Sequence, residues 1–424
     1  MGWAGRLVLV GLGAVMAGCQ MGSGTGPGAA SGADGADGAR AAGKCGAVDV
    51  FVSGESGYDT FRIPAVVAVK EPGSGRDVLV AFAEGRRLGK ADHGDVDVVL
   101  RRSYDGGCTW SEVRAVAESG QDTLGNPVPV AVGDSGRLVL LTTRNGGDAT
   151  ESAIMTGQAA PEDGRRVYVQ ASTDAGAGWS APREITEQVK RPDWRWYATG
   201  PGHGVELTAG PDAGRLVVGA NHSVTPPDGS TDTGAEPSHY AGHSLLSDDG
   251  GESWRIGYVD PADEGTLHVN ETAVAQLPDG TVYFNARDQK GSAPGNRVHA
   301  WSQDGGATLD GPFEPATGIT APPVQGSLLQ VTGGREADDA PLLMASPADP
   351  RDRAWMTVRA SLDGGATWSA GYRLSDAKAA YSDLVQLDDE HVGVLYETGK
   401  ATAYEAIRFA PLPLTSLKPE QPST

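Results

Sequence analysis

Ser103-Tyr104-Asp105-Gly106-Gly107-Cys108-Thr109-Trp110 is the stretch on which the fold reading turns. Close copies run from Ser172 to Trp179, Ser247 to Trp254, Ser302 to Leu309 and Ser361 to Trp368, roughly 55–75 residues apart, a period that suits a propeller array. Asp and the Gly two residues after it hold in every copy. A turn accounts for both: the carboxylate accepts from nearby backbone N–H groups, and Gly tolerates positive φ. The Trp packs the next strand onto its neighbour. Gly178 replaces the hydroxyl residue in the second copy, and Leu309 replaces Trp in the fourth.

Working outward, short alternating runs lie between the motifs at Asp77–Glu84, Gly136–Arg144, Gly214–His222, Gly280–Arg287, Pro341–Ser346 and His391–Glu397. Each comes after another apolar run: Arg62–Val69, Asn126–Val132, Gly204–Thr208, Asn270–Leu277, Gln325–Val331 and Tyr381–Leu387. The pattern predicts an all-β fold, a six-bladed β-propeller of four-stranded antiparallel blades, over residues 45–424. The N-terminal strand Ala47–Val52 is expected to complete the last blade and hide its edge.

The start of the chain reads differently. Arg6 precedes an apolar run from Leu7 to Val15 that is too short for a permanent membrane span, so 1–18 is expected to be a signal peptide. Met16-Ala17-Gly18-Cys19 resembles a bacterial lipoprotein cleavage box. Residues 19–44, rich in Gly, Ala and Ser, are expected to form a lipid-anchored linker, on the outer face of the cell membrane. An ordinary signal peptide on a secreted protein is the alternative. Cys45 and Cys108 remain, and they permit either one disulfide or two buried thiols.

The formal charge of -21, with no basic stripe, excludes nucleic acid as the expected partner. An anionic ligand would need a local cluster of Arg. Strand direction supplies one, because the start of a first strand, the end of a second and the start of a third share one face of a blade. Arg62, Glu271 and Tyr381 begin first strands, Arg86, Arg287 and Glu397 end second strands, Asp92 lies in a two–three loop and Arg353 begins a third strand. The turn motifs fall on the opposite face.

Three Arg suit a carboxylate, since each offers planar forked donors and a permanent charge. Glu397 would orient Arg62. Tyr381 needs a base and nearby positive charge to act as a nucleophile, and Glu271 is the candidate base. Asp92 could present a proton to a leaving group, with Asp95 and Asp97 as competitors. No HExxH, His–Cys spacing or phosphate loop occurs, so neither metal nor cofactor is expected.

Phe61-Arg62-Ile63-Pro64 resembles the Arg-Ile-Pro motif of the sialidases, and the five turns resemble their Asp boxes. Ala83-Glu84-Gly85-Arg86, Asn270-Glu271-Thr272, Asn285-Ala286-Arg287-Asp288, Tyr381-Ser382-Asp383-Leu384 and Leu395-Tyr396-Glu397 extend the resemblance over 47–410. It implies an exo-α-sialidase that removes terminal sialic acid from glycoproteins, gangliosides or oligosaccharides with retention, as a monomer. Arg62, Arg287 and Arg353 would hold the sugar carboxylate, with Arg351 competing for the third place. Tyr381 with Glu271 would be the nucleophile pair, Asp92 the acid/base, Arg86 a ring contact and Glu397 a buttress. A Tyr nucleophile is a recognised exception to the two-carboxylate rule of glycosidases. A trans-sialidase, an intramolecular trans-sialidase and a non-catalytic sialic-acid-binding propeller are the alternatives.

Overall fold

The structure is a computed structural model that describes residues 2, 45–118, 120–261, 266–290, 292–333 and 340–417. The expected signal segment, the Cys19 anchor and the linker lie outside the described residues, Gly2 excepted. The described chain is nearly all β, with short α-helices at Glu151–Met155 and Thr186–Val189.

The expected ring of six separate four-stranded blades is corrected by the hydrogen bonding. The described strands make four discrete blade-like sheets of four or five strands and one continuous sheet of eight. The first two repeat units share that large sheet, because Val96 forms a parallel bridge with Thr123. Local polar contacts create this joint: the Val96 N–H donates to the Asp122 carbonyl (3.2 Å), and the Gly94 N–H donates to Thr123 Oγ1 (3.0 Å). Alternation of apolar residues carries no trace of such a bridge. In the third unit the inner strand is Trp194–Thr199, and the expected Gly204–Thr208 run contributes only the short strand Val205–Glu206.

Closure agrees with the expectation. Val48–Val52 pairs antiparallel with Ala406–Pro413, so the first and last strands share one sheet with His391–Gly399 and Lys378–Gln386. Asp49 and Arg408 form an ion pair across that seam (2.7 Å).

The repeated turns are built as their chemistry requires. Ser103 Oγ donates to Asp105 and accepts from the Gly107 N–H (2.9 Å), while Asp105 takes the N–H and hydroxyl of Thr109. Gly107 has φ +92°, and a Cβ there would stand 2.1 Å from the Phe409 ring. The first turn therefore packs on the last sheet. Gly251 meets Val139 and Gly365 meets Tyr283 in the same way, each turn against the preceding sheet.

The core lies between sheets. Val128, Val139, Leu141, Val167, Leu216 and Val218 form one such interface, and Phe51, Phe61, Val66, Leu395 and Phe409 form the one at the seam. Each fully buried side chain of this kind contributes about 1.5–3 kcal/mol relative to exposure. Cys45 and Cys108 are joined in a disulfide that fastens the start of the domain to the first turn.

Candidate active site

Several inner strands break register at one end. The shifts fall between Arg62 and Ala65, Gly125 and Val128, Val269 and Thr272, and Ala379 and Ser382. A proline contributes to two of them, because Pro64 and Pro127 have no N–H for the ladder. Ile63 and Asn126 accordingly take positive φ (58° and 51°). A bulge re-aims side chains, and these four send Arg62, Asn126, Glu271 and Tyr381 into one cavity.

That cavity measures about 210 Å³ and is lined by Arg62, Arg86, Asp92, Glu271, Arg287, Arg353 and Tyr381 among others. Seven of the eight residues expected from sequence meet there, and the eighth, Glu397, stands directly behind them. Its carboxylate is fully buried and accepts from Arg62 Nε (2.7 Å), the Ile63 N–H (2.9 Å) and the Tyr381 N–H (3.1 Å). One side chain thus fixes two strands and orients Arg62. Burial works against the Arg62 charge, but Glu397 and the neighbouring Tyr381 outweigh it and hold the guanidinium above its ordinary value.

Tyr381 donates its hydroxyl to Glu271, whose other oxygen accepts from Arg287 (3.1 Å). Burial, then the Glu271 charge, pushes the phenol well above its usual range, while Arg287, Arg353 and Arg62 pull the other way. The resting hydroxyl is therefore neutral and hydrogen-bonded to a carboxylate. The Arg353 guanidinium donates to Tyr404 Oη (2.9 Å), and the Arg62 guanidinium lies 4.2 Å from the centre of the same ring.

Asp92 projects from its loop with 69% of its side chain exposed, held by Arg86 (2.6 Å) and approached by Arg62 (3.8 Å). Partial desolvation beside the cavity would raise its carboxyl, yet the charges of Arg86 and Arg62 prevail and keep it below the ordinary carboxylate value. The competitors are occupied elsewhere. Asp95 pairs with Arg87 (3.3 Å), and buried Asp97 accepts from Tyr58 Oη (2.8 Å) and Arg87 (2.7 Å). Arg351 does not line the cavity, whereas Arg353 does. Among the described residues no cluster of His, Cys, Asp and Glu could hold a metal ion.

Sequence reasoning missed Glu84, Glu151, Arg165, Trp196 and Tyr404. Glu84 accepts from both Arg86 and the Asn126 N–H (2.8 Å). Glu151 opens the short helix Glu151–Met155, which Thr150 caps, and it accepts the Tyr240 hydroxyl. Arg165 stacks on Trp196 (3.9 Å) and donates to Thr143 Oγ1 (2.6 Å), and burial pushes it down to about 10. A strand pattern identifies none of these, although Ala83-Glu84-Gly85-Arg86 carried one of them in plain view. A larger cavity of about 590 Å³ is lined by Asp279, Asp310 and Asp363 and by no cation, so it offers nothing to a carboxylate.

Comparison with known proteins identifies the family. Residues 77–395 match the family described as BNR repeat-like domain. An exo-alpha-sialidase of Aspergillus fumigatus is 32% identical over 389 residues, covering 83% of each chain. The chain belongs to the sialidase family, whose members are glycoside hydrolases. Among solved structures, a Hadza microbial sialidase superposes on this sialidase-family chain with a TM-score of 0.71 at 25% identity, over 88% of this chain and 69% of the other. A leech intramolecular trans-sialidase also gives a TM-score of 0.71, at 17% identity over 88% and 71% of the two chains, a likeness of fold alone.

Proposed function

We propose that this protein is a retaining exo-α-sialidase that hydrolyses terminal α-linked sialic acid through a covalent tyrosyl-glycoside intermediate. The observation that carries the proposal is the chain Tyr381–Glu271–Arg287 facing a cavity that Arg62 and Arg353 also line. Arg62, Arg287 and Arg353 bind the sugar carboxylate, and their charge favours the phenolate that develops as Glu271 takes the Tyr381 proton. A neutral phenol suits an anionic sugar, because it presents no charge until attack.

In the first step Tyr381 Oη bonds to the anomeric carbon, the glycosidic bond breaks, and Asp92 gives its proton to the departing oxygen. In the second, Asp92 takes a proton from water, the water oxygen bonds to the anomeric carbon, and the tyrosyl bond breaks. Glu271 returns the proton to Tyr381. Arg86 holds Asp92 between the two tasks. We extend the proposal to location: Cys19 is lipidated and the enzyme sits outside the cell membrane, which the mass of the mature N-terminus tests.

The protein should release 4-methylumbelliferone from its α-sialoside, and Tyr381→Phe should reduce the rate about a thousandfold or more. No turnover by folded protein at any pH from about 3 to 8, a range carried to the acid side because the Asp92 carboxyl sits below its ordinary value, would sink the proposal. NMR of the first product should show free α-sialic acid, and an anhydro or transferred sugar would point to the transfer enzymes instead.

A further inference from the structure

A second cavity, of about 410 Å³, adjoins the active site and shares Arg353 with it. Pro323, Arg351, Asp352, Lys378 and Tyr404 complete its walls. Its charge is unusual for a chain of formal charge -21: three cations against one carboxylate, and that carboxylate, Asp352, is engaged by Lys378 (2.9 Å). Arg351 is exposed and makes no side-chain ion pair within 4 Å among the described residues, although the Asp349 carboxylate beside it acts on both Arg351 and Lys378.

The walls are fixed beforehand. Asp349 accepts the N–H groups of Arg351 (2.9 Å) and Asp352 (3.0 Å), which sets the turn that carries Arg351. Arg353 donates to the Pro323 carbonyl (3.3 Å) as well as to Tyr404. The Tyr404 loop is closed by Glu405, whose carboxylate accepts the N–H groups of Lys400, Ala401 and Thr402. A site of this kind loses little freedom on binding.

We infer that this groove receives the leaving portion of the substrate and favours one that bears its own carboxylate, such as a second acidic sugar. The inference rests on the sialidase reading. In a sialoside the carboxylate and the glycosidic oxygen sit on the same carbon, so the leaving portion attached through that oxygen emerges beside the arginines that grip the carboxylate. There it meets Arg351 and Lys378, whose attraction for an anion is long-ranged and weakened by salt.

The test compares kcat/KM for an α-linked sialic acid dimer with that for sialyllactose, whose leaving portion is neutral. Arg351→Ala should lower the ratio of dimer to sialyllactose by roughly fivefold, the scale of one exposed ion pair. Arg351→Glu should lower it further, and added salt should lower it in the wild type but hardly in Arg351→Ala. Turnover of both substrates with an unchanged ratio in both variants would overturn the groove while leaving the sialidase reading intact. If the wild type cleaves neither substrate, the sialidase reading itself fails, and the groove with it.

Discussion

Asp92 carries two guanidinium contacts, and they decide when it can serve as an acid. With Arg86 and Arg62 close by, its carboxyl sits below the ordinary value, so the free enzyme holds it ionised over most of the pH range. A general acid must be protonated, so kcat/KM should fall as pH rises through that low value. Removing a cation raises a carboxyl pKa. Arg86→Gln should therefore lower kcat/KM overall yet move its alkaline limb to higher pH, and a limb that stays put would separate Asp92 from the acid role. At this scale the sequence was legible where a motif named the residue, as with Arg62 in Phe61-Arg62-Ile63-Pro64. It was ambiguous among Asp92, Asp95 and Asp97, because their contacts with Arg86 and Arg87 depend on how the loop folds. Tyr404 was invisible: its ring meets Arg62 and its hydroxyl meets Arg353 only once the last sheet is in place.

Strands contribute more than a scaffold, since their register shifts aim the site. Period-two reading located five of the six inner strands to within a few residues and missed the third, Trp194–Thr199. It could not locate the bulges, three of which involve Pro64, Pro127 or the groups of Arg62, Ile63 and Tyr381 that donate to Glu397. The paired strands Leu216–Val224 and Tyr240–Ser247 also make stability depend on pH. His222 and His243 are buried side by side, Nδ1 to Nδ1 at 3.0 Å, with Trp194 stacked on His222 at 3.6 Å and Arg191 over the indole. Burial, then the Arg191 charge, pushes His222 down to about 3, and burial with the His222 charge holds His243 well below its usual value. The unfolded chain takes protons near pH 6.5 while the folded one does not, so the stability from this pair is intact above that pH and is lost as pH falls toward 3. The melting temperature should drop between pH 6.5 and 4.5, and His243→Gln should flatten that slope. An equal slope in the variant would assign the loss to other groups.

Across the whole molecule, the repeated turns hold the ring together while no turn residue lines the active cavity. Their value in reading the sequence was to mark where units begin, which gathered residues as distant as Arg62 and Tyr381 onto one side. What they could not reveal was the Val96–Thr123 bridge that fuses two units into one sheet, since it depends on backbone and hydroxyl contacts of Gly94 and Thr123. The disulfide is a molecule-scale tie: it spans 63 residues, and closing a loop of that length restricts the unfolded chain by about 4 kcal/mol in the chain-entropy model. Replacing both Cys45 and Cys108 with Ser should lower the melting temperature by several degrees and make it insensitive to reductant, as calorimetry would record, with kcat largely retained. The central claim concerns Tyr381, and the most direct measurement is mass spectrometry of the enzyme after reaction with a 3-fluorosialosyl fluoride, whose fluorine slows breakdown of the intermediate. The account predicts one added fluorosialosyl group on the peptide that contains Tyr381, and none in Tyr381→Phe. A label on Glu271 or Asp92 in the wild type, or inactivation with no covalent label, would contradict it.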